Sequence, residues 1–119
     1  MDSILTSIKK MLGISEEYDI FDADIVMHIN SVFMTLTQLG VGPAEGFEIR
    51  DELATWDEFL DDPVILNTVK TYMYLKVRML FDPPTSAALI DAMSRQANEL
   101  EWRLNAQVES NIASSEQDL

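Results

Sequence analysis

Cysteine is absent from this chain of 119 residues, which excludes disulfide bonds, thiolate metal sites and cysteine nucleophiles. Histidine occurs once, as His28, and one histidine alone does not support a Ser-His-Asp arrangement. No apolar run approaches the ~20 residues that a bilayer-spanning helix needs. Basic residues are scarce, since 8 Lys and Arg stand against 21 Asp and Glu, for a net charge of −13. This balance argues against binding nucleic acid through a basic surface.

The chain is rich in apolar residues, which make up 47% of it, as expected of a single globular domain with a real core. The charge is unevenly placed: residues 1–62 hold 14 acids and 3 bases, whereas residues 63–119 hold 7 acids and 5 bases. Lys9 and Lys10 follow the first apolar residues, which is the wrong order for a secretory signal. We therefore expect a soluble protein, made in a cytoplasm and kept in solution by its acidic half.

Four helices are predicted from apolar residues spaced three or four apart. Asp22 is a suitable N-cap for the second helix, and Asp61 or Asp62 for the third, which begins with Pro63. The predicted fold is an all-α, compact four-helix domain at residues 1–108, followed by a flexible C-terminal tail at residues 109–119. The helices span about residues 3–12, 22–40, 63–81 and 85–107.

Residues 40–62 interrupt the helical pattern with several turn-forming residues. The alternation at residues 47–49, and more weakly at 53–56, predicts a small β-hairpin or extended loop between the second and third helices. Eight acids lie between Glu45 and Asp62, with Arg50 as the only base. Six of them are candidates for an acidic docking loop or the lining of a channel: Glu45, Glu48, Asp51, Glu52, Asp57 and Glu58.

No residue pattern indicates catalysis, a cofactor or a metal. A general base needs partners that converge on it, and His28 has only Asp24 one helical turn away. The aspartates at positions 19, 22 and 24 lack the central glycine and closing glutamate of a calcium loop. The stretch from Gly40 to Pro43 lacks the Gly-Lys-Ser/Thr ending of a phosphate loop. We therefore expect no enzymatic activity.

The third helix carries apolar side chains around most of its circumference, and such a helix must be covered on most sides. We expect a second copy of the chain to help cover it, so function is sought in assembly. Two alternatives stay open for Trp102, which is either an interface anchor or covered by the loop at residues 40–62. Met27 and Met34 are either subunit contacts or isolated exposed residues. The bases Lys70, Lys76 and Arg78 on the third helix are candidates to pair with the acidic loop, either in the same subunit or in the next one. The full set of candidates for a subunit interface is Met27, Met34, Lys70, Lys76, Arg78, Arg95 and Trp102.

Several stretches of the chain together carry a family resemblance. The most specific are Lys-Val-Arg at 76–78 with Phe-Asp-Pro-Pro at 81–84, and Glu-Trp-Arg-Leu at 101–104. The others are residues 28–33, 38–43, Trp56, 69–72 and 99–105. Over most of residues 1–108 the chain resembles the head–tail connector (adaptor) proteins of tailed bacteriophages and prophages.

The resemblance implies a structural virion protein at the capsid vertex or neck, made in the host bacterial cytoplasm. Such subunits form a homo-oligomeric ring under the portal protein, extend the DNA channel and offer a docking surface to a stopper or tail-completion protein. DNA passes through the channel without specific binding, and no membrane is involved. The family contacts the portal through its C-terminal helix and tail, which here makes the portal-binding candidates Leu100, Arg103, Leu104, Gln107, Val108 and Ile112.

A second function class is an acidic protein that mimics DNA and blocks a host DNA-binding protein. That class requires carboxylates in ordered rows on helix surfaces, whereas most acids here crowd one loop. A third class, a small enzyme subunit or metal protein, requires several carboxylates to converge on His28. Binding of a basic host protein would favour the second class, and stoichiometric metal the third.

Overall fold

A computed structural model describes the backbone of residues 2–117 and the side chains of residues 2–111. The prediction of an all-α fold is confirmed, since within residues 2–117 the extended backbone forms one isolated bridge and no sheet. A short helix that was not predicted lies between the second and third predicted ones. The helices are α1 (Ile4–Met11), α2 (Asp22–Gln38), α3 (Trp56–Phe59), α4 (Pro63–Phe81) and α5 (Ala87–Gln117).

The start of α4 is fixed by the capping residues that the sequence predicts. Asp62 is the N-cap, and its Oδ1 accepts hydrogen bonds from the main-chain N–H groups of Val64 and Ile65 at 3.1 and 3.2 Å. Pro63 follows at the first helical position, where its missing N–H costs nothing. The boundary is therefore encoded locally.

α4 is the central helix, and it packs against α1, α2 and α5. Its own chain therefore covers most of its apolar circumference, while Val64 and Leu80 stay exposed, and the expectation that a second copy helps to cover the helix stays a prediction. Tyr72 is buried there, and its hydroxyl donates to Glu101 Oε2 on α5 at 2.9 Å. Burial and this hydrogen bond raise the pKa of Tyr72. The buried residues of α4 are Leu66, Val69, Tyr72, Met73, Leu75 and Val77.

An ion pair joins α1 to the start of α2. The Nζ atom of Lys9 forms an ion pair of 2.8 Å with Asp22 Oδ1 and donates a hydrogen bond of 3.0 Å to the main-chain oxygen of Glu16. Among the described residues, Lys9 is the charged residue that is buried. The ion pair and the hydrogen bond explain how a lysine is tolerated there, because a buried ammonium without partners is costly.

The predicted β-hairpin at residues 47–56 is not formed. The first extended piece is held by a side chain, because the main chain of Ile49 bonds to Asn30 of α2. The second piece pairs with the chain before α1, through a bridge between Ser3 and Thr55 and a bond from the N–H of Ile4 to the oxygen of Ala54 at 3.0 Å. An isolated hairpin is marginal in water, and here each half has a partner elsewhere in the domain.

The C-terminal helix is longer than predicted. α5 continues past residue 107 to Gln117, so the backbone of residues 109–117 is helical. The flexibility of the tail from residue 109 stays a prediction. Residues 118 and 119 and the side chain of Ile112 lie outside the described part of the chain.

Candidate functional site

The acidic loop between α2 and α4 is displayed on a fixed backbone. All six predicted carboxylates are exposed. Two of them also shape the loop: Glu58 Oε1 accepts from the N–H and the hydroxyl of Thr55 at 3.0 Å each, and Asp51 Oδ1 accepts from the N–H of Leu53 at 2.9 Å. The other four face solvent with no hydrogen bond or ion pair to any residue of 2–111. They are Glu45, Glu48, Glu52 and Asp57.

Aromatic packing anchors this loop to the core. Phe33 of α2 is fully buried, and its ring centroid lies 5.0 Å from that of Phe47 and 4.7 Å from that of Phe59. Trp56 is also buried, and its Nε1 donates to Ser7 Oγ on α1 at 2.8 Å. The loop is therefore anchored to the core at several points along its backbone.

The bases of α4 are partly committed within the subunit. Lys70 Nζ lies 5.8 Å from the ring centroid of Trp56, within cation–π range. Arg78 donates to the main-chain oxygen of Asp82 at 2.9 Å and to the Tyr74 hydroxyl at 3.1 Å, and thereby closes the end of α4. Neither forms an ion pair with a carboxylate of the loop in residues 2–111, and neither does the half-buried Lys76. The alternative of pairing with the loop of the same subunit is therefore not observed.

Trp102 lies on the outer surface of α5 and is 71% exposed. The alternative that the loop covers it is wrong. Beside it is Val64, at the start of α4, which is 78% exposed. Together they edge a groove of about 370 Å³ between the two helices. The residues lining this α4–α5 groove are Val64, Ile65, Thr68, Trp102, Arg103, Leu104, Ala106, Gln107 and Ser110.

A second apolar surface lies on α2. The side chains of Met27 and Met34 are apolar, yet they are 60% and 66% exposed. Met34 borders a groove of about 560 Å³ that runs between α2 and the acidic loop, where Glu45, Phe47 and Glu48 line it. Met34 and the acidic loop are thus brought to one groove, which the sequence did not indicate.

The portal-binding candidates on α5 divide into two groups. Arg103 and Gln107 are exposed, and Arg103 forms an ion pair of 2.7 Å with Glu99 one turn earlier. Leu104 is buried in the core, and Leu100 and Val108 are partly buried against it. In this conformation the side chains of Leu100, Leu104 and Val108 therefore contribute to the stability of the domain. Arg95, a candidate for the subunit interface, is exposed and paired with Asp91 at 2.9 Å.

An aromatic cluster near the end of α4 was missed by the sequence reasoning. Phe81 lies with its ring centroid 5.3 Å from that of Phe21, which in turn is 5.8 Å from that of Tyr18. The half-buried ring of His28 is 6.4 Å from Phe81. The only signal in the sequence is the spacing of three between Tyr18 and Phe21. This contact gives His28 an aromatic neighbour, in keeping with a structural role.

Neither a metal site nor a membrane span emerges from the geometry. Within the described residues, His, Asp and Glu side chains form no group of three or more that could hold a metal ion. Among the helices of residues 2–117, none is long and apolar enough to cross a bilayer. The features that remain are surfaces: an acidic loop anchored by aromatic packing and two exposed grooves on an all-helical domain. This combination is typical of a structural protein that works by docking.

The comparison with protein families agrees with this class. The family model described as phage connector protein matches residues 4–111, which is most of the chain. The chain belongs to this family, and the resemblance drawn from its sequence is confirmed. It is therefore a structural connector of the phage head–tail region and a component of the virion. No curated protein and no solved structure matches the chain.

Proposed function

We propose that the protein forms a homo-oligomeric ring that binds the portal protein at the capsid vertex, extends the DNA channel and docks a stopper or tail-completion protein. A closed ring needs a heterologous contact, in which two different patches of one chain meet. The observation that carries the proposal is the presence of two such patches on different helices. One is the α4–α5 groove with Trp102, and the other is the methionine surface of α2.

The C-terminal half of α5 is proposed to contact the portal. Arg103 and Gln107 are exposed there and accessible to a partner, although each is paired with a neighbour on α5, while Leu104 holds the helix on the core. The acidic loop is proposed to dock the next protein of the neck. The net charge of −13 also suits a channel wall, because negative surfaces leave the phosphates of passing DNA unbound.

Mass measured by light scattering, with and without the portal protein of the same phage, tests the proposal. We expect either a ring-sized species or a monomer that the portal recruits in a fixed stoichiometry. Trp102→Ala should weaken assembly, whereas Leu89→Ala, which truncates another exposed apolar residue of α5, should leave it unchanged. A monomer that ignores the portal would contradict the proposal, and capture of a basic host protein instead would favour the DNA-mimic class.

A further inference from the structure

Along one edge of the backbone at residues 47–50, the hydrogen-bonding groups are paired with a side chain. Asn30 Oδ1 accepts from the N–H of Ile49 at 2.8 Å, and Asn30 Nδ2 donates to the oxygen of Ile49 at 2.9 Å. In an extended chain the N–H and C=O of one residue point to the same edge, and those of its neighbours point to the opposite edge. Since both groups of Ile49 face α2, the main-chain groups of Glu48 and Arg50 face away from it.

The side chains of the same segment alternate as an extended chain requires. Ile49 is buried, and Phe47 is half-buried against Phe33 and Phe59. Glu48 and Arg50 are exposed. A period of two in burial is the signature of a strand, so side chains and main-chain bonds give the same geometry independently.

The outer edge of this segment has no partner in the described part of the chain. No hydrogen bond from residues 2–111 reaches the main-chain N–H or C=O of Glu48 or Arg50. An unpaired strand edge is a template on which another extended chain can add. The segment is short, and Asp51 and Glu52 follow it directly, which protects it from indiscriminate pairing.

We propose that this edge, from Phe47 to Arg50, receives a basic extended segment of a different protein by strand addition. The inference rests on the proposed function, in which the acidic loop docks the next neck protein, and it names the mode of that docking. Charge identifies the occupant, because eight acids and one base lie between Glu45 and Asp62. A second copy would bring an equally negative loop against the first, although Glu48 could then face Arg50 of the partner.

Amide hydrogen exchange measured by NMR tests the proposal with a defined probe, a capped peptide of alternating lysine and valine. At a peptide concentration about nine times its Kd, exchange at Glu48 and Arg50 should slow about tenfold, while Ile49, already bonded to Asn30, should change little. The same peptide with N-methyl groups on its bonding edge should give no protection. Binding without protection at Glu48 and Arg50, or equal binding of the N-methylated peptide, would overturn the proposal.

Two variants separate the main chain from the charge. Glu48→Pro removes the outward N–H, and the extended backbone at Phe47 accepts a following proline. Glu48→Ala removes the same carboxylate but keeps the N–H. Peptide binding should be about tenfold weaker in the proline variant than in the alanine variant. Equal binding by the two would overturn the proposal, and Arg50→Pro repeats the test at the second outward amide if Glu48→Pro fails to fold.

Two further measurements distinguish this inference from the proposed function. Both proline variants should keep the association with the portal that light scattering detects, because that contact is proposed to use α5. Absence of peptide protection in the wild-type protein, with its portal association intact, would overturn only the strand addition. A chain that dimerises through this edge, with Glu48 and Arg50 protected at high protein concentration and no peptide added, would overturn the choice of a basic partner.

Discussion

Replacing Asn30 by alanine should destabilise the domain more than its position on a helix surface suggests. The asparagine side chain supplies a donor and an acceptor to the main chain of Ile49, nineteen residues away. Alanine supplies neither, and the Ile49 residue is only 2% exposed, so water has little access to the freed groups. The loss therefore includes the cost of leaving polar groups buried and unpaired.

The magnitude follows from two competing terms. Each buried main-chain group left without a partner costs about 1–3 kcal/mol, and two such groups are freed. Alanine is a better helix former than asparagine, which returns about 0.5 kcal/mol within α2. The net loss should be about 1.5–5.5 kcal/mol, a large part of the ~5–15 kcal/mol by which small domains are stable. At about 4 °C per kcal/mol for a domain of this size, the midpoint of thermal unfolding should fall by about 6–22 °C.

Equilibrium unfolding in urea, followed by circular dichroism, measures this loss. Ser31→Ala is the matched control, because it makes the neighbouring change at an exposed position of the same helix and should alter stability by about 0.5 kcal/mol or less. A loss in Asn30→Ala no larger than in Ser31→Ala would refute the reasoning. It would mean that the loop is not held by this pair of hydrogen bonds.

Phe33→Ala should cost about 3–5 kcal/mol of stability in the same urea assay, because it empties the centre of the aromatic core. Trp102→Ala should change stability by about 0.5 kcal/mol or less while it reduces the mass seen by light scattering, and a variant that unfolds outright would place Trp102 in the core. Tyr72→Phe tests the raised pKa of Tyr72. A tyrosine in the unfolded chain ionises near pH ~10, whereas Tyr72 in the folded protein stays protonated there. The stability of the wild-type protein should therefore fall as the pH rises above ~10. The thermal midpoint of the phenylalanine variant should fall less over that range, and an equal fall would count against the buried bond to Glu101.

The parts of the fold that were predictable are those fixed by neighbours in the sequence. Asp62 and Pro63 mark the start of α4 by local hydrogen bonding and a fixed backbone angle. The buried face of α2 follows from residues three and four apart, such as Ile25, Ile29 and Phe33. The residues that resemble phage connectors were visible in the same way, as strings along the chain, and the family match confirms what they indicated.

The parts that were not predictable depend on partners far apart in the sequence. Nothing near Ile49 indicates that an asparagine of α2 replaces the second strand of a hairpin. Likewise, the pairing of Thr55 with Ser3 spans most of the acidic half of the chain. The end of α5 was placed too early because polar residues after position 107 lack an apolar stripe, although such residues also continue a helix that is already nucleated.

The charge of the acidic loop becomes more informative once the bases of α4 are located. Lys70 lies over Trp56, and Arg78 closes the end of its own helix, so neither base forms an ion pair with a carboxylate of the loop within residues 2–111. Lys76 remains half-buried and forms no ion pair with residues 2–111. A surface of unneutralised carboxylates repels its own copies and attracts a basic partner. The loop is therefore better suited to contact between different neck proteins, and the ring contacts that we propose would use the α4–α5 groove and the exposed methionines of α2.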